Sequence, residues 1–312
     1  MRTDGTLPGE LGETFNTQDC GSEIGPAIDT DEAAMLRAAQ LNRDARAWQQ
    51  ARGHTLDFSC YASKFNLQPY DPEPAQVLLA RHEAVGYPHH CSFGEADLVI
   101  DEGVFSPDLT RVSPFLLYAV DFKPGERVLD AFSGSGGLGI NAALHGADSV
   151  VAFDTSTKAT ACIQKNAERN GVGTIVDARQ GTLTETITPD ETFDLIIANP
   201  PLIPGNPDKG LESALFDTGL QATRELVTAL PGLLTKRGRC YLLTSDVVDR
   251  QGYECHIDQL CRQQELRFLT VAQLHLRYES YRVHKIEHWT GGRRIGAAMN
   301  WLMDGEIAIG TR

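Results

Sequence analysis

Residues 127–143 read RVLDAFSGSGGLGINAA. The order is a short apolar strand with Asp130 near its end, a turn holding Gly134 and Gly136, and the start of a helix. Glycine permits a tight turn and a close approach of backbone to a ligand, and the free N–H groups of a helix's first turn face that ligand. Alone, such a turn also suits phosphates or serves packing. Further along, VVAFD (150–154) ends in Asp154, 24 residues after Asp130. An acid at the end of the second strand of such a unit can accept both hydroxyls of a ribose, which predicts a ligand with an adenosine-like part. FDLIIANPPL (193–202) reads as a strand buried on both faces and stopped by Pro200 and Pro201, neither of which can donate to a ladder. Its end should face the same crevice, because open α/β sheets hold ligands at the carboxyl ends of their strands.

ADLVI (96–100) and CYLLT (240–244) are further short apolar strands, and helical stretches at 138–144, 157–170 and 220–234 alternate with the strands. Near the C-terminus RFLTVAQLHLRY (267–278) and YRVHKIEHW (281–289) are strand-like and close together. The expected fold is α/β: a doubly wound, Rossmann-like sheet over residues 96–312, mostly parallel with an antiparallel C-terminal pair. Residues 1–30, rich in Gly, Pro, Thr and Asp, read as a disordered tail. Residues 31–95 read as a small, mainly helical N-terminal module, with a helix over 31–52 striped by Met35, Leu36, Leu41 and Trp48 and a short helix near 75–83.

The 312 residues, 41% of them hydrophobic, suffice for a full core. No apolar run reaches the length of a membrane span, and MRTDGTLPGE lacks the basic-then-apolar order of a signal peptide, so a cytoplasmic location away from membranes is expected. The 7 cysteines are scattered, odd in number and without a C-x-x-C pair, which predicts reduced thiols. His89, His90 and Cys91 are contiguous rather than at ligand spacing, so no metal is expected. The net charge is −14, and only residues 261–312 are positive on balance, with 8 basic against 5 acidic side chains. A protein that grips a phosphate backbone needs a clustered cationic surface, so nucleic acid is disfavoured as a partner, with a local patch around the tail left open.

Taken together, EGVFSPDLTRVSPFLL (102–117), DAFSGSGG (130–137), FDTSTKATACIQKNAERNG (153–171), NPPL (199–202) and LVTALPGLLTKRGRCYLL (226–243) resemble class I S-adenosylmethionine-dependent methyltransferases. The similarity is greatest to the branch that methylates nitrogen in protein glutamine or ribosomal-RNA guanine, and it spans residues 96–245, about half of the chain. The resemblance implies S-adenosyl-L-methionine as methyl donor. Asp130 and the loop glycines Gly134 and Gly136 would lie at its methionine end, with Asp154 on the ribose hydroxyls. Phe105, Thr110, Phe132, Thr155, Thr182 and Asn199 would complete the cofactor contacts. Family members often carry an acid for the adenine amino group where ARQGTLTE here offers Thr182.

For catalysis the resemblance implies Asn199 and Pro200. Methyl transfer from a sulfonium is an in-line displacement, and a nitrogen whose lone pair is delocalised attacks poorly. The Asn199 side-chain oxygen and the Pro200 carbonyl can hold the N–H bonds of such a nitrogen and aim its lone pair, which is catalysis by positioning and electrostatic stabilisation. Pro201 and Leu202 follow on the substrate side. Leu202 departs from the aromatic residue usual there and offers apolar contact without a π-face. With the acidic charge balance, this points first to a nitrogen of a small polar metabolite, an amine, guanidine or amide, as acceptor. The alternatives are a protein glutamine N-methyltransferase, a ribosomal-RNA guanine N-methyltransferase and a binding module that keeps the fold without catalysis. Tyr278, Tyr281, His284, His288 and Trp289 either line a substrate pocket or alternate along a terminal hairpin. Asp101, Glu102 and Asp108 read as solvated loop acids, or as contacts for a cationic substrate.

Overall fold

Short apolar segments separated by helix-forming ones dictate the architecture, which is seen in a computed structural model that describes residues 56–57, 73–207, 210–245, 257–275 and 280–289. The expected tail, the 31–52 helix and Tyr278 lie outside the described residues. In chain order the strands are β1 (Leu56–Asp57), β2 (His89–Phe93), β3 (Ala96–Ile100), β4 (Arg127–Ala131), β5 (Ser149–Asp154) and β6 (Val176–Gln180). They continue as β7 (Phe193–Ala198), the two-residue β8 (Ile203–Pro204) and β9 (Phe216–Asp217), β10 (Leu234–Ser245), β11 (Leu266–His275) and β12 (Ser280–His288). The helices are α1 (Glu73–Ala84), α2 (Val112–Ala119), α3 (Gly137–Leu144), α4 (Thr157–Arg169), α5 (Leu183–Thr186), α6 (Gln221–Leu233) and α7 (Ile257–Gln263). Among the described residues, no helix is long and apolar enough to cross a membrane.

The main sheet runs β1-β11-β12-β10-β7-β4-β5-β6. Strands β10, β7, β4, β5 and β6 are parallel, and β12 lies antiparallel between β10 and β11. This is the doubly wound sheet with an antiparallel C-terminal pair that the sequence predicts. From β4 the chain winds outward to β5 and β6, then returns to β7 on the other side, so the winding reverses between β4 and β7. Crevices at such a reversal are where ligands bind in this class of sheet.

Continuous apolar strands are explained by burial on both faces. In β4, Val128 faces one core, with α2, α3 and α4, while Leu129 and Ala131 face the other, with α6 and α7. Leu195 and Ile197 of β7 join the first core and Ile196 and Ala198 the second. Helix α3 approaches the sheet closely because it carries Gly139, where a Cβ would sit 3.0 Å from both Asp130 Oδ2 and Val150 Cγ1.

The β2–β3 hairpin does not join the main sheet. It crosses the expected module boundary at residue 95, since Phe93 pairs with Ala96. Side chains of α4 hold its outer edge. Asn170 Nδ2 donates to the Asp97 carbonyl at 2.9 Å, and Asn170 Oδ1 accepts from the Asp97 N–H at 2.9 Å. One helical turn earlier, Asn166 Oδ1 accepts from the Val99 N–H at 2.8 Å while its Nδ2 donates to the Ser135 carbonyl at 3.0 Å. Asn166 is fully buried. Asn166→Ala strands the Val99 N–H and the Ser135 carbonyl, each at about 1–3 kcal/mol. Urea unfolding should therefore show a loss of roughly 2–6 kcal/mol, well above the near-zero cost of an exposed Asn→Ala change.

Candidate active site

A cavity of about 330 Å³ opens at the carboxyl ends of β4, β5, β6 and β7, within the range of small-molecule sites. The segment after β4 supplies Phe132, Ser133 and Gly134 to its wall, β5 ends in it at Asp154 and Thr155, and Thr182 enters from the turn after β6. Asn199, Pro200, Pro201 and Leu202 border it after β7, and Phe105 and Thr110 close it from the segment after β3.

The two loop glycines do different work. Gly134, with φ +55°, leaves room where a side chain would stand, and the nearest atom to its would-be Cβ is the Phe105 carbonyl oxygen at 4.0 Å. Gly136, with φ +84°, is pressed from behind, since a Cβ there would lie 3.1 Å from Ile163 Cγ2 and 3.3 Å from Ile140 Cδ1. Gly136 is absent from the cavity wall; it lets α3 and α4 pack and the turn close. Phe132, at φ +62°, carries backbone strain as a bulky residue in the left-handed region and packs edge-on against Phe153, centroids 5.6 Å apart.

Asp130 is likewise off the wall. The sequence expectation sets it at the methionine end of a ligand; in the fold it is fully buried on the face of β4 beneath α3. Its Oδ2 accepts from the Gly139 N–H at 2.7 Å, and its Oδ1 has no partner among the described residues. Burial outweighs the Gly139 hydrogen bond and pushes its pKa up to about 7.

Asp154 faces the cavity. Its Oδ2 accepts from the Gly134 N–H at 3.0 Å and its Oδ1 from the Ser156 N–H at 2.8 Å. Burial raises its pKa and these backbone donors oppose the rise. A carboxylate offers about four acceptor positions, so both oxygens keep capacity toward the crevice. Thr182 is occupied differently, because its hydroxyl donates to Glu185 Oε2 at 2.8 Å in a capping box that starts α5.

Asn199 gains a partner that the sequence gives no signal for. Its Nδ2 donates to Ser113 Oγ at 3.3 Å, and Ser113, on α2, is almost fully buried and lines the same cavity. This commits the amide nitrogen and leaves the oxygen as the acceptor. Leu202 is half-buried and packs against the first core. Asp217, whose Oδ2 caps α6 by accepting from the Ala222 N–H at 2.8 Å, also borders the cavity, and burial raises its pKa.

Of the C-terminal aromatics Tyr281 lines the cavity. His284 does not. It is buried between Thr244 Oγ1 at 2.8 Å and Thr270 Oγ1 at 3.1 Å and stacks on Phe268, and burial brings its pKa down to about 3. His288 Nε2 bonds the Leu234 carbonyl at 3.2 Å, and Trp289 is exposed. Asp101 pairs with Lys165 at 2.8 Å and Asp108 with His89 at 2.9 Å, and neither borders the cavity, nor does Glu102.

The residues fit S-adenosyl-L-methionine: an open glycine cradle at Gly134, an acid with spare acceptor capacity at Asp154, and apolar rings at Phe105 and Phe132 for a heterocycle. The family model of the methyltransferase small domain matches residues 95–265. A release factor glutamine methyltransferase of Bordetella pertussis is 29% identical over 70% of this chain and 82% of its own length. A ribosomal protein L11 methyltransferase of Syntrophomonas wolfei is 34% identical over 34% of this chain and 35% of its own. The chain spans 24%, 35% and 35% of the length of three ribosomal protein L11 methyltransferases that it matches. Among solved structures, a 16S rRNA N2 guanine methyltransferase of T. thermophilus, in complex with AdoMet and guanosine, shares 22% identity with a TM-score of 0.49, covering 64% of this chain and 50% of that one.

The buried carboxyl predicts a pH dependence. Asp130 ionises near 7 in the fold and near 3.8 when unfolded, so between those values the folded chain holds the extra proton and stability falls as pH rises. Urea unfolding of wild type and Asp130→Asn at pH 5 and pH 8 should show wild type losing ground to the variant at the higher pH; a constant difference would mean that the carboxyl titrates normally.

Proposed function

The chain belongs to the methyltransferase small-domain family, and from that membership we propose that it is an S-adenosylmethionine-dependent N-methyltransferase whose acceptor is a side-chain amide of a polypeptide. The observation that carries the reading is Asn199, held through its amide nitrogen by Ser113 and bordering the same cavity as Gly134 and Asp154. A polypeptide acceptor is supported by the Bordetella relative, a glutamine methyltransferase that this chain matches over most of its length. The net charge of −14 weighs against RNA, and no relative named above supports the small-metabolite acceptor first expected.

Bound in the cavity, the donor supplies an electrophilic methyl group on a sulfonium. Gly134 lets the backbone come close to it, and Asp154 takes up its ribose hydroxyls. The Asn199 oxygen and the Pro200 carbonyl accept the N–H bonds of the incoming amide and hold its nitrogen in line, while the two prolines stiffen the turn. Both oxygens stabilise the positive charge that grows on nitrogen as its bond to the methyl forms and the methyl–sulfur bond breaks, releasing a neutral thioether; the methylated nitrogen then loses its proton to water, which restores the amide. Pro201 and Leu202 give the acceptor an apolar wall. Ser113 keeps the Asn199 amide from turning.

Incubation with methyl-labelled donor and separate pools of polypeptides, RNA and metabolites tests the acceptor class. Label should enter a polypeptide as a methylated side-chain amide; label confined to RNA or to small molecules would reject it. Asn199→Ala should lower kcat by about 10²–10³ with the fold and most of the donor affinity retained, the scale for one lost preorganised polar contact. Calorimetry on Asp154→Ala should show donor binding weakened by roughly 3–6 kcal/mol, the sum of two hydrogen bonds to a charged group at about 1.5–3 each.

A further inference from the structure

The contiguous HHC run looks unsuited to a metal when read along the chain. On a strand, however, alternate residues share a face. In β2, His89 and Cys91 are both half-buried while His90 and Ser92 are exposed. The single-turn 3₁₀ helix Pro107–Leu109 brings Asp108 to that face, so that a nitrogen of His89, the sulfur of Cys91 and a carboxylate oxygen of Asp108 all lie within 4.8 Å of one another. We propose that these three side chains form a divalent-cation site of the zinc class, which ties the β2–β3 hairpin to the segment walling the active-site cavity.

The donor set supports the choice of ion. One thiolate, one imidazole and one carboxylate suit zinc or cobalt better than magnesium or calcium, which take oxygen ligands. With bonds of about 2.0–2.3 Å, tetrahedral donors stand roughly 3.3–3.7 Å apart. His89 Nε2 and Asp108 Oδ2 are now 2.9 Å apart, so a cation entering between them needs shifts of under about 1 Å. Outer partners are in place as well. Ser106 Oγ donates to Asp108 Oδ1 at 2.5 Å, which orients the carboxylate and leaves Oδ2 for the metal. Ser106 is itself fixed, for its N–H donates to His82 Nε2 at 2.9 Å, and His82 Nδ1 bonds the Leu78 carbonyl at 2.9 Å. Both nitrogens of His82 are thereby occupied, which excludes it as a ligand. The fourth position is left to water, the usual arrangement with three protein ligands. Pro107 and Thr110, on either side of Asp108, border the cavity, so a cation on Asp108 would hold that wall in place.

Cobalt titration of the reduced full-length protein provides the test. A near-ultraviolet thiolate-to-cobalt band should rise and saturate at one equivalent, fall when zinc is added, and be lost in Cys91→Ser; His89→Ala should weaken cobalt binding by about tenfold or more. A wild type with no thiolate band, or a band undiminished in Cys91→Ser, would overturn the site. A second measurement needs no variant: zinc should slow N-ethylmaleimide labelling of Cys91, read by peptide mass spectrometry, and unchanged labelling overturns the site equally.

Discussion

The hydrogen bond from the Gly139 N–H to the buried Asp130 carboxylate, 2.7 Å long, stands where β4 hands over to α3. It anchors the first turn of the helix to the strand below, and the missing Cβ of Gly139 allows the approach. Given that anchor, the intervening chain has little freedom. Gly136 is pinned against Ile163, the Ser133 N–H reaches the Phe153 carbonyl at 3.0 Å, and the Gly134 N–H reaches Asp154. The loop therefore turns its open side toward the cavity at Gly134. One carboxyl oxygen is left without a partner among the described residues, and burial raises the carboxyl's pKa.

The centre of the sheet was legible because its strands are largely apolar. ADLVI, RVLDA, VVAFD and FDLIIA form buried parallel strands or hairpin strands where periodicity places them, and the helices at 157–169 and 221–233 follow amphipathic stripes. Strand β6 (VDARQ) is less visible. It lies at the edge of the sheet, is half-exposed, and its charges mask the pattern. Strand β2 (HHCSF) has no apolar alternation at all; among the described residues it pairs only with β3, and tertiary contact decides its state.

Within the site, residue type and backbone demand were readable from sequence, whereas orientation was not. Gly134, Asp154 and Asn199 announce themselves as a glycine in a turn, an acid closing a strand and an amide before two prolines. That Asp130 and Gly136 support the loop from beneath follows from which face of β4 lies under α3 and from the contact of α3 with α4, both tertiary facts. Ser113 is an unremarkable serine in an apolar helix, and only the fold sets its hydroxyl beside Asn199. Asp217, nearly 90 residues after Asp130, reaches the same cavity through a connection with no local signature.

The asparagines of α4 have a consequence for solubility. A two-stranded ribbon has two open edges, each a row of unpaired amides and carbonyls on which a strand from another molecule can seat itself. Along β3 that row is taken. Asn170 meets both the N–H and the carbonyl of Asp97, as a neighbouring strand's peptide would, and two residues on Asn166 and the Cys162 thiol meet the N–H and carbonyl of Val99. Spaced one helical turn apart, these side chains imitate the rungs of a ladder. The helix thus stands in for a strand, and it closes to cross-β aggregation an edge that its apolar residues would otherwise leave inviting.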